Sequence, residues 1–98
     1  MLDTFRSEPV LVSFTSVNCG PCKLQKKELA AVSQVVGTGF KMFAIDTERW
    51  PHVGSRFKVG KLPCLVVVKE GEVLLRLEGL TMAEDVLSGI RHIYGLAT

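Results

Sequence analysis

Val10-Leu11-Val12-Ser13-Phe14-Thr15-Ser16-Val17-Asn18-Cys19-Gly20-Pro21-Cys22-Lys23 is the stretch on which the fold turns. Its first six residues are β-branched or apolar for the most part and end ahead of a turn-forming Gly-Pro pair, which predicts a buried central strand. From Lys23 to Val36 most residues are good helix formers. Leu29, Val32 and Val36 share one face of that helix, and Gly37 with Gly39 supplies its stop. Phe40 to Asp46 reads as a second strand. Strand, helix and strand in this order form a crossover that sets the two strands parallel, with the helix packed on one face of the sheet.

Working outward, Pro51 and Gly54 interrupt a weak helical pattern between Thr47 and Lys58, so a short helix is expected there. Gly60 to Pro63 reads as loop. Cys64 to Lys69 and Val73 to Glu78 flank Glu70-Gly71-Glu72, a hairpin signature for two antiparallel strands. Val86, Leu87, Ile90, Ile93 and Tyr94 recur at helical spacing and predict a closing helix whose apolar stripe packs on the sheet. The expected fold is therefore α/β with a four-stranded mixed sheet. It forms a single domain over residues 1–98, without repeats, linkers or low-complexity segments.

Composition removes several function classes. Of 98 residues, 47% are hydrophobic and 22% charged. A domain of this size buries roughly two-thirds of its chain surface and needs no disulfide staple. Three cysteines are an odd count, which argues against a secreted disulfide framework. The net charge of +2 arises from 12 basic and 10 acidic residues scattered along the chain, so the concentrated basic face that nucleic acid requires is not expected. No basic n-region with an apolar run of about 7 to 15 residues opens the chain, and no stretch has the length of a membrane span. The expectation is a monomeric cytoplasmic protein that uses no cofactor and engages neither membrane nor nucleic acid.

The chemistry lies in Cys19-Gly20-Pro21-Cys22. Two cysteines three positions apart on the first turn of a helix bring their sulfurs close enough to form a disulfide without large backbone movement. Cys19 stands at the helix start, where unpaired N–H groups and the positive end of the dipole favour thiolate over thiol and lower its pKa from about 8.5. Cys22, one turn inside, is expected to be the resolving thiol that attacks a mixed disulfide. Pro21 suits the first turn because its missing N–H has no intrahelical partner, while Gly20 lets the backbone turn sharply and leaves room for a substrate. A chance CxxC, or half of a zinc site, is the competing reading. Tetrahedral zinc needs four ligands, however, and only Cys64, His52 and His92 remain, widely scattered.

Val10 to Lys23 resembles the active-site strand and helix of the thioredoxin family. Two further landmarks agree with that resemblance: Leu62-Pro63 ahead of a Val-rich strand, and Glu70-Gly71-Glu72-Val73 followed by Gly79. The resemblance covers the chain from about Val10 onward. It implies a three-layer α/β/α fold that lacks the family's first strand, since only about nine residues precede Val10. It also implies a cis Leu62–Pro63 bond in a loop that faces the dithiol and holds an extended substrate. Asn18, Leu62, Pro63 and Gly79 are then substrate-binding positions. The implied activity is thiol-disulfide exchange on protein disulfides by Cys19 and Cys22, with recycling by an external reductase such as a thioredoxin reductase.

The chain departs from the family at several positions. Asn18 stands where the family usually has tryptophan, which replaces an apolar platform by hydrogen-bonding groups able to reach backbone at the helix start. Ser13 aligns with the family's buried aspartate and Met42 with the lysine that pairs with it. Losing both avoids an unpaired buried charge, but Ser13 cannot serve as a base for Cys22, so a slower or differently tuned dithiol is expected. Lys27 replaces a helix-kinking proline, which predicts a straighter helix. Cys64, directly after Pro63, is expected on the strand near the dithiol, as an inert core residue or as a third redox thiol. With Cys19 and Cys22 it would otherwise serve as ligand in a glutaredoxin-like, iron-sulfur or metal-binding protein completed by another molecule. Asn18 and the missing base also admit a non-catalytic binding module on the same fold.

Overall fold

The computed structural model of the chain describes residues 8–37 and 40–94. Strand β1 (Val10–Thr15) leads into helix α1 (Gly20–Val36) and strand β2 (Lys41–Asp46). The short helix α2 (Pro51–Arg56) follows, then the hairpin of β3 (Cys64–Lys69) and β4 (Glu72–Glu78), and last helix α3 (Ala83–Tyr94). The order is the one expected from the sequence, and the differences lie at the ends of elements. Helix α1 already begins at Gly20, because Pro21 fits a first turn whose N–H groups have no intrahelical partners. It runs through Lys27 without a break, as the absence of proline predicts, and ends at Gly37, whose φ of 70° is a conformation that favours glycine. Helix α2 is shorter than the weak pattern suggested: Pro51 sets its first turn, and Lys58 turns left-handed at φ 56° just beyond it.

The sheet order is β2-β1-β3-β4. Strand β1 lies parallel to β2 and antiparallel to β3, and β4 is antiparallel to β3. Glu70 and Gly71 close the hairpin with φ values of 53° and 79°, the two positive φ angles that a type I′ turn requires.

Alternation along the strands sorts the core onto two faces. Leu11, Leu65 and Val67 pack with Val32 of α1 and with Val86 and Ile90 of α3. Phe14, Cys64 and Val66 point the other way and meet Val53, Phe57 and Leu62, the Phe14 and Phe57 rings lying 5.5 Å apart. Helices α1 and α3 therefore cover one face and α2 the other, giving the three layers expected. The expected lack of a first strand falls on residues 1–7 and the expected packing of Tyr94 on its side chain, both outside the described part. What the fold does for function follows from the register. Phe14 sits opposite Cys64, so the exit of β1 toward Cys19 and the entry to β3 from Pro63 lie at one end of the sheet.

Candidate active site

Cys19 and Cys22 are joined by a disulfide, with Cα atoms 5.3 Å apart. Cys19 is the residue just ahead of α1, in extended backbone (φ −95°, ψ 107°), and no side chain caps the helix. The first-turn N–H groups are thus left without a side-chain acceptor at the positive end of the helix dipole, beside this sulfur. The first turn also holds no acidic residue to offset that field. Cys19 is half-buried, whereas Cys22 is only 7% exposed. Pro21 lies in the first turn as expected. Gly20 opens the same turn, but its φ is not in the left-handed region, so no sharp turn demands glycine there. A Cβ there would meet nothing within 4 Å, which agrees with the other expected role, open room for a substrate.

The loops at this end of the sheet are tied together by hydrogen bonds. Leu62–Pro63 is cis, as the resemblance implies. The Pro63 carbonyl accepts a bond from Gly79 N–H at 2.8 Å, and Gly79 holds φ 79°. Leu62 is partly buried, with its side chain packed against the Phe14 cluster. Asn18 does not cap α1. Its amide donates to the Glu48 carboxylate at 3.2 Å and links the disulfide loop to the segment after β2.

A residue that the sequence reading passed over, Gln25, lies one turn beyond Cys22 on the buried face of α1 and is 1% exposed. Its amide bonds both backbone groups of Thr81, donating to the carbonyl at 2.9 Å and accepting from the N–H at 2.8 Å. The signal was available: Cys22, Gln25, Leu29, Val32 and Val36 form one helical stripe, and a buried amide within it must find partners.

Ser13 is 7% exposed, faces the α1 side of the sheet between Ala44 and Leu65, and its hydroxyl has no partner among the described residues. Together with Cys22, Leu29, Met42 and Ala44 it lines a groove of about 1040 Å³ between α1 and β2. The groove also carries the Asp46 carboxylate, one oxygen of which already accepts the Glu48 N–H at 2.9 Å.

Cys64 corrects an expectation. It is paired with Phe14 in register, so its side chain points to the face opposite α1 and away from the disulfide. Successive strand residues alternate in direction, and Leu65, not Cys64, takes the α1 side. A three-thiol ligand set is therefore not assembled. Among the described residues no group of three or more His, Cys, Asp or Glu side chains is placed to hold a metal. His52, His92 and Trp50 are exposed.

Burial pushes the Cys64 thiol up, against a smaller opposing pull from Arg76, whose Nη1 lies 3.7 Å from the sulfur. The raised pKa favours the neutral thiol in the folded state, so its contribution to stability is present below about pH 8.5 and is lost as pH rises toward the folded value. In the oxidised protein, the stability difference between the parent chain and Cys64→Ala should therefore narrow above about pH 8.5, by up to about 1.4 kcal/mol per pH unit. Urea titrations at pH 7.5, 8.5 and 9.5 check this, and a constant difference would count against it.

A helix-start disulfide and a cis-proline loop lie at the same end of this sheet. The family model for thioredoxin matches residues 2–92, and the chain belongs to the thioredoxin family. It is 32% identical over 83 residues to thioredoxin Y1, chloroplastic, of Arabidopsis thaliana, covering 85% of this chain and 48% of that one. A thioredoxin-like protein of Synechocystis sp. is 30% identical over 84 residues, covering 86% and 80%. The chain thus spans about half the length of the chloroplastic relative. Among solved structures, chloroplastic thioredoxin z superimposes with a TM-score of 0.80 at 26% identity, over 92% of this chain and 81% of the other. The thioredoxin of Fasciola hepatica does so at 0.80 and 19% identity, over 93% and 86%, a likeness of fold.

Proposed function

We propose that this domain reduces disulfides in other proteins. The Cys19 thiolate attacks one sulfur of the substrate disulfide, forms a mixed disulfide and expels the first substrate thiolate. The Cys22 thiol then gives up its proton and attacks the Cys19 sulfur. This releases the second substrate thiol and leaves the Cys19–Cys22 disulfide, which an external reductase reopens with two electrons. The observation that carries the reading is the unequal exposure of the two cysteines at an uncapped helix start, one half-buried and one nearly closed off. Leu62, Pro63, Gly79 and Asn18 are the positions along which an extended substrate segment lies. We place the domain in the cytoplasm as a monomer, on its cysteine usage and scattered charge. The Arabidopsis and rice relatives are named chloroplastic, so fractionation of the tagged protein decides the compartment. Among the described residues no helix is long and apolar enough to cross a membrane.

Trapping tests the reaction. Reduced Cys22→Ser incubated with insulin should hold a dithiothreitol-sensitive adduct on Cys19, visible on a non-reducing gel and mapped by mass spectrometry. An adduct on Cys64, or none, would remove the proposal.

A further inference from the structure

A buried glutamine on the disulfide helix bonds through both its amide nitrogen and its amide oxygen to the backbone of one residue in another loop. Gln25 donates to the Thr81 carbonyl at 2.9 Å and accepts from the Thr81 N–H at 2.8 Å. The chain of bonds continues on both sides. Thr81 Oγ1 donates to the Gly79 carbonyl at 3.1 Å, and Gly79 N–H donates to the Pro63 carbonyl at 2.8 Å. One turn further along α1, the Glu28 carboxylate accepts the N–H of Ala83 at 2.7 Å. Met82, at the start of α3, has no side-chain oxygen for that task, so α1 supplies the missing cap from outside. Five hydrogen bonds thus run from the helix that carries Cys22, through the segment 79–83, to the carbonyl of the cis-proline.

Packing alone would hold α1 and α3 together through Val32, Val86 and Ile90, which lie deeper in the core. Apolar contacts are non-directional and tolerate small slides. A two-point amide bond is directional, and inside a low-dielectric site it is costly to break, because both Thr81 groups would be left unpaired. The segment that it fixes continues the β4 edge beside Pro63, where an extended substrate would lie.

We infer that Gln25 is a positioning residue for protein substrates: it holds the backbone of Gly79–Thr81, and through it Pro63, at a fixed height relative to the Cys19–Cys22 pair. This rests on the proposed reduction of protein disulfides. A small aromatic disulfide that needs only Cys19 should be indifferent to the latch, whereas a protein segment lying on the Pro63 and Gly79 backbone should not be.

The test compares the parent chain with Gln25→Met, which keeps the side-chain volume and removes both polar atoms. With insulin, KM should rise about fivefold to twentyfold while kcat stays within about twofold, and the rate with 5,5′-dithiobis(2-nitrobenzoic acid) should change by less than about twofold. Unchanged KM for insulin in a folded variant overturns the inference, even if the melting temperature falls, since a merely structural role predicts that pattern. A parent chain unable to reduce insulin overturns the proposed function and this inference with it. Amide exchange in the unmodified protein adds a measurement that needs no variant. The Thr81 N–H should be protected at the level of the sheet, and exchange at the rate of an exposed loop amide overturns the latch directly.

Discussion

Cys19→Ser is expected to reduce insulin at the background rate, a loss of at least about a thousandfold, while it melts within a few degrees of the reduced parent chain. The reason is positional. Only Cys19 stands at the open helix start, and serine in its place has a hydroxyl that the helix dipole cannot ionise at neutral pH. Cys22 cannot take over because it is 7% exposed and its backbone is already inside the first turn. Cys64 cannot substitute either, since it lies on the opposite face of the sheet with a thiol that burial keeps protonated. Limiting iodoacetamide at pH 7 on the reduced parent chain reads the same asymmetry and should label Cys19 first. Labelling of Cys22 or Cys64 ahead of it, or residual turnover in Cys19→Ser, would reverse the assignment of roles.

Most of the fold was legible because it rests on signals that survive in one dimension. The apolar run Val10–Thr15, the glycine at 37 and the Glu70-Gly71 turn each have a local physical cause, and each recurs in the structure. The disulfide pair was legible for the same reason, since its spacing and its place at a helix start are both local. What stayed hidden depends on which side of a strand a residue faces and on who meets it there. Cys64 follows the cis-proline directly, and a shift of one residue in a strand reverses the face, so proximity in sequence to the site said nothing about proximity in space. Gln25 is the converse case. Its helical phase marked it as buried, but its partner Thr81 lies 56 residues away, and a backbone partner leaves no side-chain signature. Asn18, whose amide could also have reached backbone at the helix start, bonds Glu48, 30 residues on, because the segment after β2 returns to the same end of the sheet.

The second large effect is expected at Ser13, where a carboxylate is missing from the site. Ser13 lies on the central strand, faces the α1 side, and shares a groove with Cys22 and Met42. In Ser13→Asp the new carboxyl occupies a position that is 7% exposed, with Ala44 and Leu65 as its neighbours on the adjacent strands. Desolvation should raise its pKa from about 3.9 toward neutrality, into the range where it can take the Cys22 proton. Disulfide reduction near pH 7 should then quicken by up to about tenfold to a hundredfold, if proton removal from Cys22 limits the parent chain. The same burial destabilises the variant with a definite pH dependence. The folded pKa lies above the unfolded one, so the neutral acid is tolerated at low pH, and the penalty grows as pH rises from about 4 toward the folded value. The melting temperature of Ser13→Asp should accordingly fall further below that of the parent chain at pH 7 than at pH 4.5, by about 4–8 °C for each kcal/mol of added penalty. Ser13→Asn separates the two effects: it introduces comparable bulk and polarity without a base, and should lose stability without gaining rate. An unchanged rate in Ser13→Asp across pH 6 to 9 would mean that Cys22 already loses its proton fast enough to water in the open groove or to Asp46, and the absent aspartate would then be no handicap to this chain.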